Sequence, residues 1–521
     1  MQAMADSYRS FHHIVAENAR RWPDRVYVHS IDQDKSLTYA ALYALSNRFA
    51  RLLRRKGLKA GDRVLLLAEN AVENLAVFVS TLRYGATLAT VNVAMNEGHL
   101  KEIIAAVAPA LVLYQEGLGL ERLEDVELAG NLGEWQALGE WHEDGGTGVF
   151  AEIAALSDTD DIASVAGPDD PAVIFYTSGT VAKPRGVIQT HATAYYNYDA
   201  TADYLGLAPG DKVLDFRSFS WLSAQHMSLG APLVAGATTV IAKNFSVSRY
   251  FDWLAAHEIN IGFVVPTVIN MLLDRPAAVR GADLPHLRFL TSSSAPLLVE
   301  QWKRFEETYG IILAQSAGSS EGGNTAAHRG DKRRIGTIGP PLKYQDIRIV
   351  DQDGGERGPG ESGEIVVAGG RQQAFGFLMP DGTVEKLDVD GHRTGDLGHF
   401  DAEGHLVITG RVKELIIRGG VNISPVEIDG VLVELAGINE AGTIGVPDEI
   451  WGEEVVSFVV RGLGARLSEA EILSHCGDRL PEAKMPKRII FREGLPRNNR
   501  GKLDRGALAA DWKQAGEVVG T

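Results

Sequence analysis

An apolar run ends abruptly in hydroxyls, glycines and cations at Phe175-Tyr176-Thr177-Ser178-Gly179-Thr180-Val181-Ala182-Lys183-Pro184-Arg185-Gly186-Val187. Residues 172–176 read as a buried strand, and the polar segment after it is suited to holding phosphates. Thr177, Ser178 and Thr180 offer hydroxyls, Gly179 lets the backbone approach a ligand closely, and Lys183 and Arg185 supply positive charge. The plain alternative is a surface hairpin turn. The segment is not the GxxxxGK[ST] loop, since no Gly-Lys-Ser/Thr comes after it, so a different phosphate-holding fold is required.

Further segments carry polar chemistry along the chain: Thr291-Ser292-Ser293-Ser294-Ala295-Pro296, Ala317-Gly318-Ser319-Ser320-Glu321, His392-Arg393-Thr394-Gly395-Asp396-Leu397, Gly410-Arg411-Val412-Lys413-Glu414 and Pro496-Arg497-Asn498-Asn499-Arg500-Gly501-Lys502. Two other matches mislead. Gly318-Ser319-Ser320-Glu321-Gly322 fits the GxSxG nucleophile elbow, but Gly323-Asn324 stands where a helix should begin. Gly358-Pro359-Gly360-Glu361-Ser362-Gly363 fits GxGxxG, yet it precedes a strand and reads as a turn. The 14 histidines show no HExxH spacing and no cluster with ligand geometry.

These segments need a scaffold. Leu42, Leu45, Phe49, Leu52 and Leu53 share one helical face, with Thr38 as N-cap and Gly57 beyond the end, which predicts a helix over 39–56. Strand, helix, strand, helix and strand come next over 64–67, 72–84, 87–91, 99–107 and 111–114, the signature of a parallel sheet with helices on both faces. Beyond about residue 330 short strands such as 347–350 and 364–367 alternate with Gly/Asp turns, predicting a small antiparallel unit. Strands over 397–400 and 406–409 pair around Asp401-Ala402-Glu403-Gly404. The domain boundary falls just after, at Gly410-Arg411-Val412-Lys413-Glu414, giving 1–410 and 414–521, the latter with its own α+β pattern.

A chain of 521 residues calls for more than one structural unit, and its formal charge of -17 argues against nucleic acid or an anionic membrane as partner. The single cysteine, Cys476, excludes an intrachain disulfide framework and lies in a helical pattern as a packed core thiol. The first ten residues lack a signal-peptide pattern, and no stretch approaches 18 apolar residues. The chain therefore reads as a cytoplasmic protein with no membrane insertion; self-association into a homo-oligomer is left open.

In this order and spacing the segments resemble the adenylate-forming superfamily of acyl-CoA synthetases, non-ribosomal peptide adenylation domains and firefly luciferases, over essentially the whole chain. The resemblance implies an α/β fold, with a large N-terminal adenylation domain of parallel βα-built sheets plus the antiparallel unit, and a small mobile α+β C-terminal lid. It also implies a reaction: a small-molecule carboxylic acid attacks ATP to give an acyl-adenylate and pyrophosphate, and the thiol of coenzyme A then displaces AMP. ATP, Mg2+ and coenzyme A are the implied co-substrates and ion.

Carried over position by position, the resemblance assigns Thr177, Ser178, Gly179, Thr180, Lys183 and Arg185 to the phosphates, Thr180 also to catalysis, and Glu321 to the magnesium and catalysis. Ser294, Ala295 and Pro296 lie on one side of adenine, and Ala317, Gly318, Ser319 and Ser320 on the other. Asp396 matches the ribose carboxylate and Arg411 a second ribose or phosphate contact, and Lys502 matches the catalytic lysine that bridges substrate carboxylate and α-phosphate. Lys413 matches a hinge whose rotation brings the coenzyme A loop, Arg418, Gly419 and Gly420, toward the site. Trp221, Ser223, Gln225, Val265, Ser292 and Ser293 would line the acyl pocket. That lining fits an aryl or short to medium-length acid. Arg217 reads either as a partner for a second carboxylate or as a surface arginine at a strand end.

The chain departs from the family pattern at Val181, Ala182 and Arg185, where threonine, glycine and lysine are usual, which implies altered pyrophosphate contacts. Ala317 stands in place of an aromatic and Trp221 near a usual histidine. A ligase loading a carrier protein and a non-catalytic nucleotide-binding protein remain the alternatives.

Overall fold

In the computed structural model, residues 8–120, 123, 133–159, 161–176, 184–330, 332–388, 391–498 and 502–519 are described. Strands Arg63–Leu67, Thr87–Thr90 and Leu111–Tyr114 pair in parallel, connected by helices Val72–Tyr84 and Glu97–Val107. Such strands are covered on both faces, which is why their sequences are continuous apolar runs rather than alternating ones. With Pro171–Tyr176, Glu134–Ala137 and three antiparallel strands they complete an eight-stranded sheet.

A second eight-stranded sheet runs in the order Gly323–Ala327, Leu313–Ser319, Phe289–Ser292, Ile261–Val264, Lys212–Asp215, Thr238–Ile241, Val26–Ser30 and Lys35–Thr38. Its six inner strands are parallel and each edge strand is antiparallel. Helix Val72–Tyr84 is buried along its whole length because it touches strands of both sheets. The predicted helix over 39–56 is Tyr39–Arg55; the Thr38 hydroxyl accepts from the Ala41 amide at 3.1 Å, satisfying an otherwise orphan donor.

The predicted antiparallel unit has four strands, Ile347–Val350, Gly363–Val367, His392–Phe400 and Leu406–Arg411. Residues 376–386 leave it: strands Gly376–Leu378 and Val384–Lys386 extend the first large sheet beside Gly186–Thr190. Local pattern cannot reveal this, since short strands read alike whichever sheet they join. The Gly358–Gly363 match is a turn before a strand, with Gly360 at φ 81°.

After Arg411 a separate sheet begins. Strands Ile416–Arg418, Val421–Ile423, Ile438–Asp448, Gly452–Arg461 and Arg488–Arg492 pair with one another and with none of the earlier strands, among the described residues. Helices Pro425–Glu434 and Glu469–Gly477 cover them around a core that includes Ile416, Ile428, Leu432, Val459 and Cys476. Burial pushes the Cys476 thiol up to about 11, in keeping with a packed core group. This unit rests on the rest of the chain through Leu298, which packs against its core, and through the Ser424 hydroxyl, which donates to the Thr409 carbonyl at 2.6 Å. No helix among the described residues is long and apolar enough to cross a membrane.

Candidate active site

Strands Pro171–Tyr176 and Gly186–Thr190 lie antiparallel, with Tyr176 opposite Gly186 and Phe175 opposite Val187. Residues 177–185 connect these two neighbouring strands in the sequence. Thr177, Ser178, Gly179, Thr180, Val181, Ala182 and Lys183 lie outside the described residues. At the hairpin's return, Arg185 is exposed and its guanidinium lies 4.7 Å from the centre of the Phe377 ring. Gly186 has no room for a side chain, because a Cβ would come within 2.7 Å of Ile174 Cγ2. The Tyr176 hydroxyl is buried with no hydrogen-bond partner among the described residues, and burial raises its pKa above the ordinary phenol value.

Of the two segments assigned to adenine, Ser294-Ala295-Pro296 follows one strand, while Ala317, Gly318 and Ser319 end the adjacent one and Ser320 follows it. Phe289–Ser292 pairs with Leu313–Ser319, Ser292 facing Gln315, and the chain beyond each strand carries Ser294-Ala295-Pro296 and Ser320-Glu321 respectively. Ligands of open α/β sheets bind at this carboxyl edge. Ser294 holds φ 76°, a left-handed conformation costly for a residue with a Cβ and often found at functional sites. Gly318 abuts the returning strand Gly323–Ala327 so closely that a Cβ would lie 2.6 Å from the Gly323 carbonyl oxygen. Ala317 is half-buried, packing toward the antiparallel unit's core.

The return to strand rather than helix after Gly322 rules out a nucleophile elbow at Ser320. Instead the turn is braced: the Ser319 hydroxyl accepts from the Gly322 amide at 2.7 Å, Gln345 donates to the Gly322 carbonyl at 2.8 Å, and the Ala374 amide donates to the Glu321 carbonyl at 2.7 Å. That leaves the Glu321 carboxylate one-quarter exposed, with His392 Nε2 3.9 Å away, beyond hydrogen-bond range. Among the described residues no three His, Cys, Asp or Glu side chains group as a self-sufficient metal cage. A single carboxylate fits an ion that arrives with most of its oxygen ligands already supplied by phosphates and water.

Asp396 lies mid-strand, in His392–Phe400, directly opposite Arg411 of Leu406–Arg411. Arg411 Nε donates to Asp396 Oδ1 at 2.7 Å. The 3-10 turn Val412–Glu414 comes at once and exposes Lys413. Arg505 anchors the far side of this turn, donating to Glu414 at 3.1 Å and to the buried Asp429 at 2.7 Å. A cleft of about 450 Å³ is lined by Arg411, Lys413, Glu414, Asn498, Leu503 and Asp504 among others.

Lys502 closes a turn with Asn498: the Asn498 amide donates to the Lys502 carbonyl at 2.9 Å, and the Lys502 amide to Asn498 Oδ1 at 3.1 Å. Gly419 and Gly420 form the exposed tip between Ile416–Arg418 and Val421–Ile423. Arg418 is engaged, with Nε 2.7 Å from Glu454 Oε1 and Nη1 donating to the Ala483 carbonyl at 3.0 Å. In this arrangement it holds its own domain together.

Of the acyl-pocket residues, Trp221, Ser223 and Val265 are half-buried, while Gln225, Ser292 and Ser293 are buried. Gln225 Nε2 donates to Thr90 Oγ1 at 3.0 Å and to the Phe219 carbonyl at 2.8 Å. It opens a π-helical turn, Gln225–Gly230, a distortion frequent at functional sites. Arg217 departs from the surface reading. It is buried and donates to both carboxylate oxygens of Asp215, at 2.9 and 2.7 Å, and to Ser293 Oγ at 3.3 Å. The Ser228 hydroxyl donates to the same carboxylate. Asp215 and Phe377 carried no motif; only the Asp-x-Arg spacing at a strand end could have pointed to the first.

The family model described as AMP-binding enzyme matches residues 15–378, and that described as AMP-binding enzyme C-terminal domain matches 427–502. The chain belongs to the AMP-binding enzyme family. It is an adenylate-forming enzyme of the acyl-CoA synthetase type. Sulfoacetate–CoA ligase of Cupriavidus necator is 34% identical, covering 94% of this chain and 96% of the relative. Long-chain-fatty-acid–CoA ligase FadD13 of Mycobacterium tuberculosis is 30% identical over 92% and 94%. In structure the AMP-binding enzyme is similar to ATP-bound MatB from Rhodopseudomonas palustris: TM-score 0.85, 29% identity, 96% of this chain and 99% of that one.

Proposed function

We propose that this AMP-binding enzyme is an ATP-dependent carboxylic acid:CoA ligase acting on an aryl or short to medium-length acid, organised as an adenylation domain over 1–410, a hinge at 411–413 and a lid over 414–521. The observation that carries the reading is the shared carboxyl edge from which the Ser294 and Glu321 segments emerge, beside the Asp396–Arg411 pair's unit. In the first step a carboxylate oxygen of the acid attacks the α-phosphorus of ATP and the bond to the bridging oxygen breaks, releasing pyrophosphate. In the second the coenzyme A sulfur attacks the acyl carbon, and AMP leaves with its phosphate oxygen.

Charge at the α-phosphate grows in the first step, so a fixed cation there accelerates it, and Lys502 takes this role. Thr177, Ser178, Gly179, Thr180, Lys183 and Arg185 hold the phosphates, and Asp396 and Arg411 exchange their mutual ion pair for ribose. Glu321 would hold Mg2+, which when bound would supply neutralisation of phosphate charge. Gly419 and Gly420 admit coenzyme A.

The relatives act on acids as different as sulfoacetate and long-chain fatty acids. Residues of the pocket must therefore select the acid. Trp221, Ser223, Gln225 and Ser293 offer one aromatic surface among hydroxyl and amide groups, which supports a compact acid over a long alkyl chain. Asp215 neutralises Arg217, which removes that guanidinium as a grip for a second carboxylate. An acid panel scored for AMP release with and without coenzyme A tests the reading. Thioester with AMP supports it; adenylate without thioester assigns a carrier protein as acceptor, and no AMP with any acid leaves a nucleotide-binding protein.

A further inference from the structure

The lysine turn is fastened to the large domain by a residue outside the phosphate, ribose, hinge and acyl-pocket roles. Arg497 begins this turn, bridging to Leu503 as an antiparallel pair. Its Nη1 donates to Thr267 Oγ1 at 3.1 Å, and its Nη2 pairs with Glu440 Oε2 at 2.8 Å. Thr267 lies in the first turn of helix Pro266–Asp274, just after Val265 of the acyl pocket, whereas Glu440 lies in strand Ile438–Asp448 of the C-terminal unit. One planar guanidinium thus joins the two parts of the molecule.

We infer that Arg497 is a positioning residue for acyl-adenylate formation, clamping the turn that carries Lys502 to the acyl-pocket helix through Thr267. Three features make it suited to this. Glu440 fixes one edge of the guanidinium, so the other edge is aimed before contact and little side-chain freedom is lost on docking. Arg497 and Glu440 are mostly buried, at 26% and 17% exposure, where such a contact is less screened than on open surface. The pairing Arg497 to Leu503 and the Asn498–Lys502 hydrogen bonds transmit the position of Arg497 to the lysine backbone. A second contact nearby, Gln301 Nε2 to the Asn439 carbonyl at 3.5 Å, is too long to hold the interface alone.

The catalytic half of this inference rests on the proposed ligase activity; the docking half does not. The test compares the parent chain with Arg497→Ala, Arg497→Lys and Thr267→Val in two measurements. Trypsin cleavage at the exposed Arg411 and Lys413 reads docking without any substrate. Both Arg497→Ala and Thr267→Val should speed that cleavage about threefold or more, since the clamp holds the unit beyond the hinge. ATP–pyrophosphate exchange should fall about tenfold or more in kcat for Arg497→Ala, with KM for ATP within about twofold and thioester formation from supplied acyl-adenylate nearly unchanged. Arg497→Lys should recover part of the exchange, because lysine keeps the charge but makes one contact at a time. Unchanged cleavage in both variants, or equal loss in both half-reactions, overturns the inference. A parent chain that makes no adenylate refutes the ligase reading instead, and the cleavage comparison still decides the docking role.

Discussion

Asp396 and Arg411 face each other across two antiparallel strands, Arg411 Nε donating to Asp396 Oδ1 at 2.7 Å, at the last residue before the turn Val412–Glu414. Two groups assigned to the nucleotide thus already satisfy each other. Their side chains are 30% and 53% exposed, so the pair contributes little to stability. Asp396→Asn should change unfolding free energy by less than about 1 kcal/mol. The same variant should raise KM for ATP about tenfold or more, because a charge-assisted hydrogen bond to a hydroxyl is worth roughly 1.5–3 kcal/mol. Calorimetry and initial rates check the two halves; a large loss of stability with KM unchanged would make the pair purely structural.

Lys502→Ala should abolish adenylation while acyl-adenylate supplied from outside still yields thioester. Lys413→Pro, at the exposed turn before the C-terminal unit, should do the reverse, since proline fixes φ at the position assigned to rotation. Separate assays of the half-reactions distinguish the two, and equal damage from Lys413→Pro would remove the rotation.

Glu321→Gln keeps the shape of the braced turn and removes one negative oxygen. The Mg2+ concentration needed for half-maximal rate should rise several-fold, with thermal stability unchanged within about 0.5 kcal/mol. A magnesium titration at fixed ATP measures it.

Asp215→Ala strands the Arg217 guanidinium in the interior and should destabilise the chain by about 3–5 kcal/mol. Adding Arg217→Met should recover part of that loss, since the uncompensated charge goes with it. Urea melts of the single and double variants test the coupling, and a double variant no better than the single would show that packing, not charge, is at stake.

Burial holds His226 down to about 3 and His191 and His328 down to about 4, against 6.5 for a free histidine. Between those values the unfolded chain binds protons that the folded chain does not. Their contribution is therefore complete above about pH 6.5 and is lost progressively as pH falls toward 4 and below. Each adds a slope of up to about 1.4 kcal/mol per pH unit in that window. His226→Gln should flatten the decline between pH 6.5 and 4.5 in denaturant melts.

Elements are legible in the sequence where the information is local. Helix Val72–Tyr84, strand Leu111–Tyr114 and strand Ile347–Val350 have the residue bounds their patterns predict, and Thr38 caps the helix that its position predicts. Apolar period, capping hydroxyls and glycine stops act within a turn or two of chain, so one segment suffices to show them. The absence of a helix after Gly322 is readable for the same reason. Arg217 is not legible in this way, because its partner and its burial depend on how the strand end packs, which the segment does not encode.

By itself the sequence determined the βα alternation, the order of the polar segments and the resemblance those segments carry, all properties of residue type and spacing along one chain. Tertiary structure alone decided that residues 376–386 join the first sheet, that Asp396 meets Arg411, and that Arg497 reaches Thr267. Each is a choice of partner across a long stretch of chain. Cross-strand register and domain docking are selected by the summed burial of whole faces, and no single segment holds that sum.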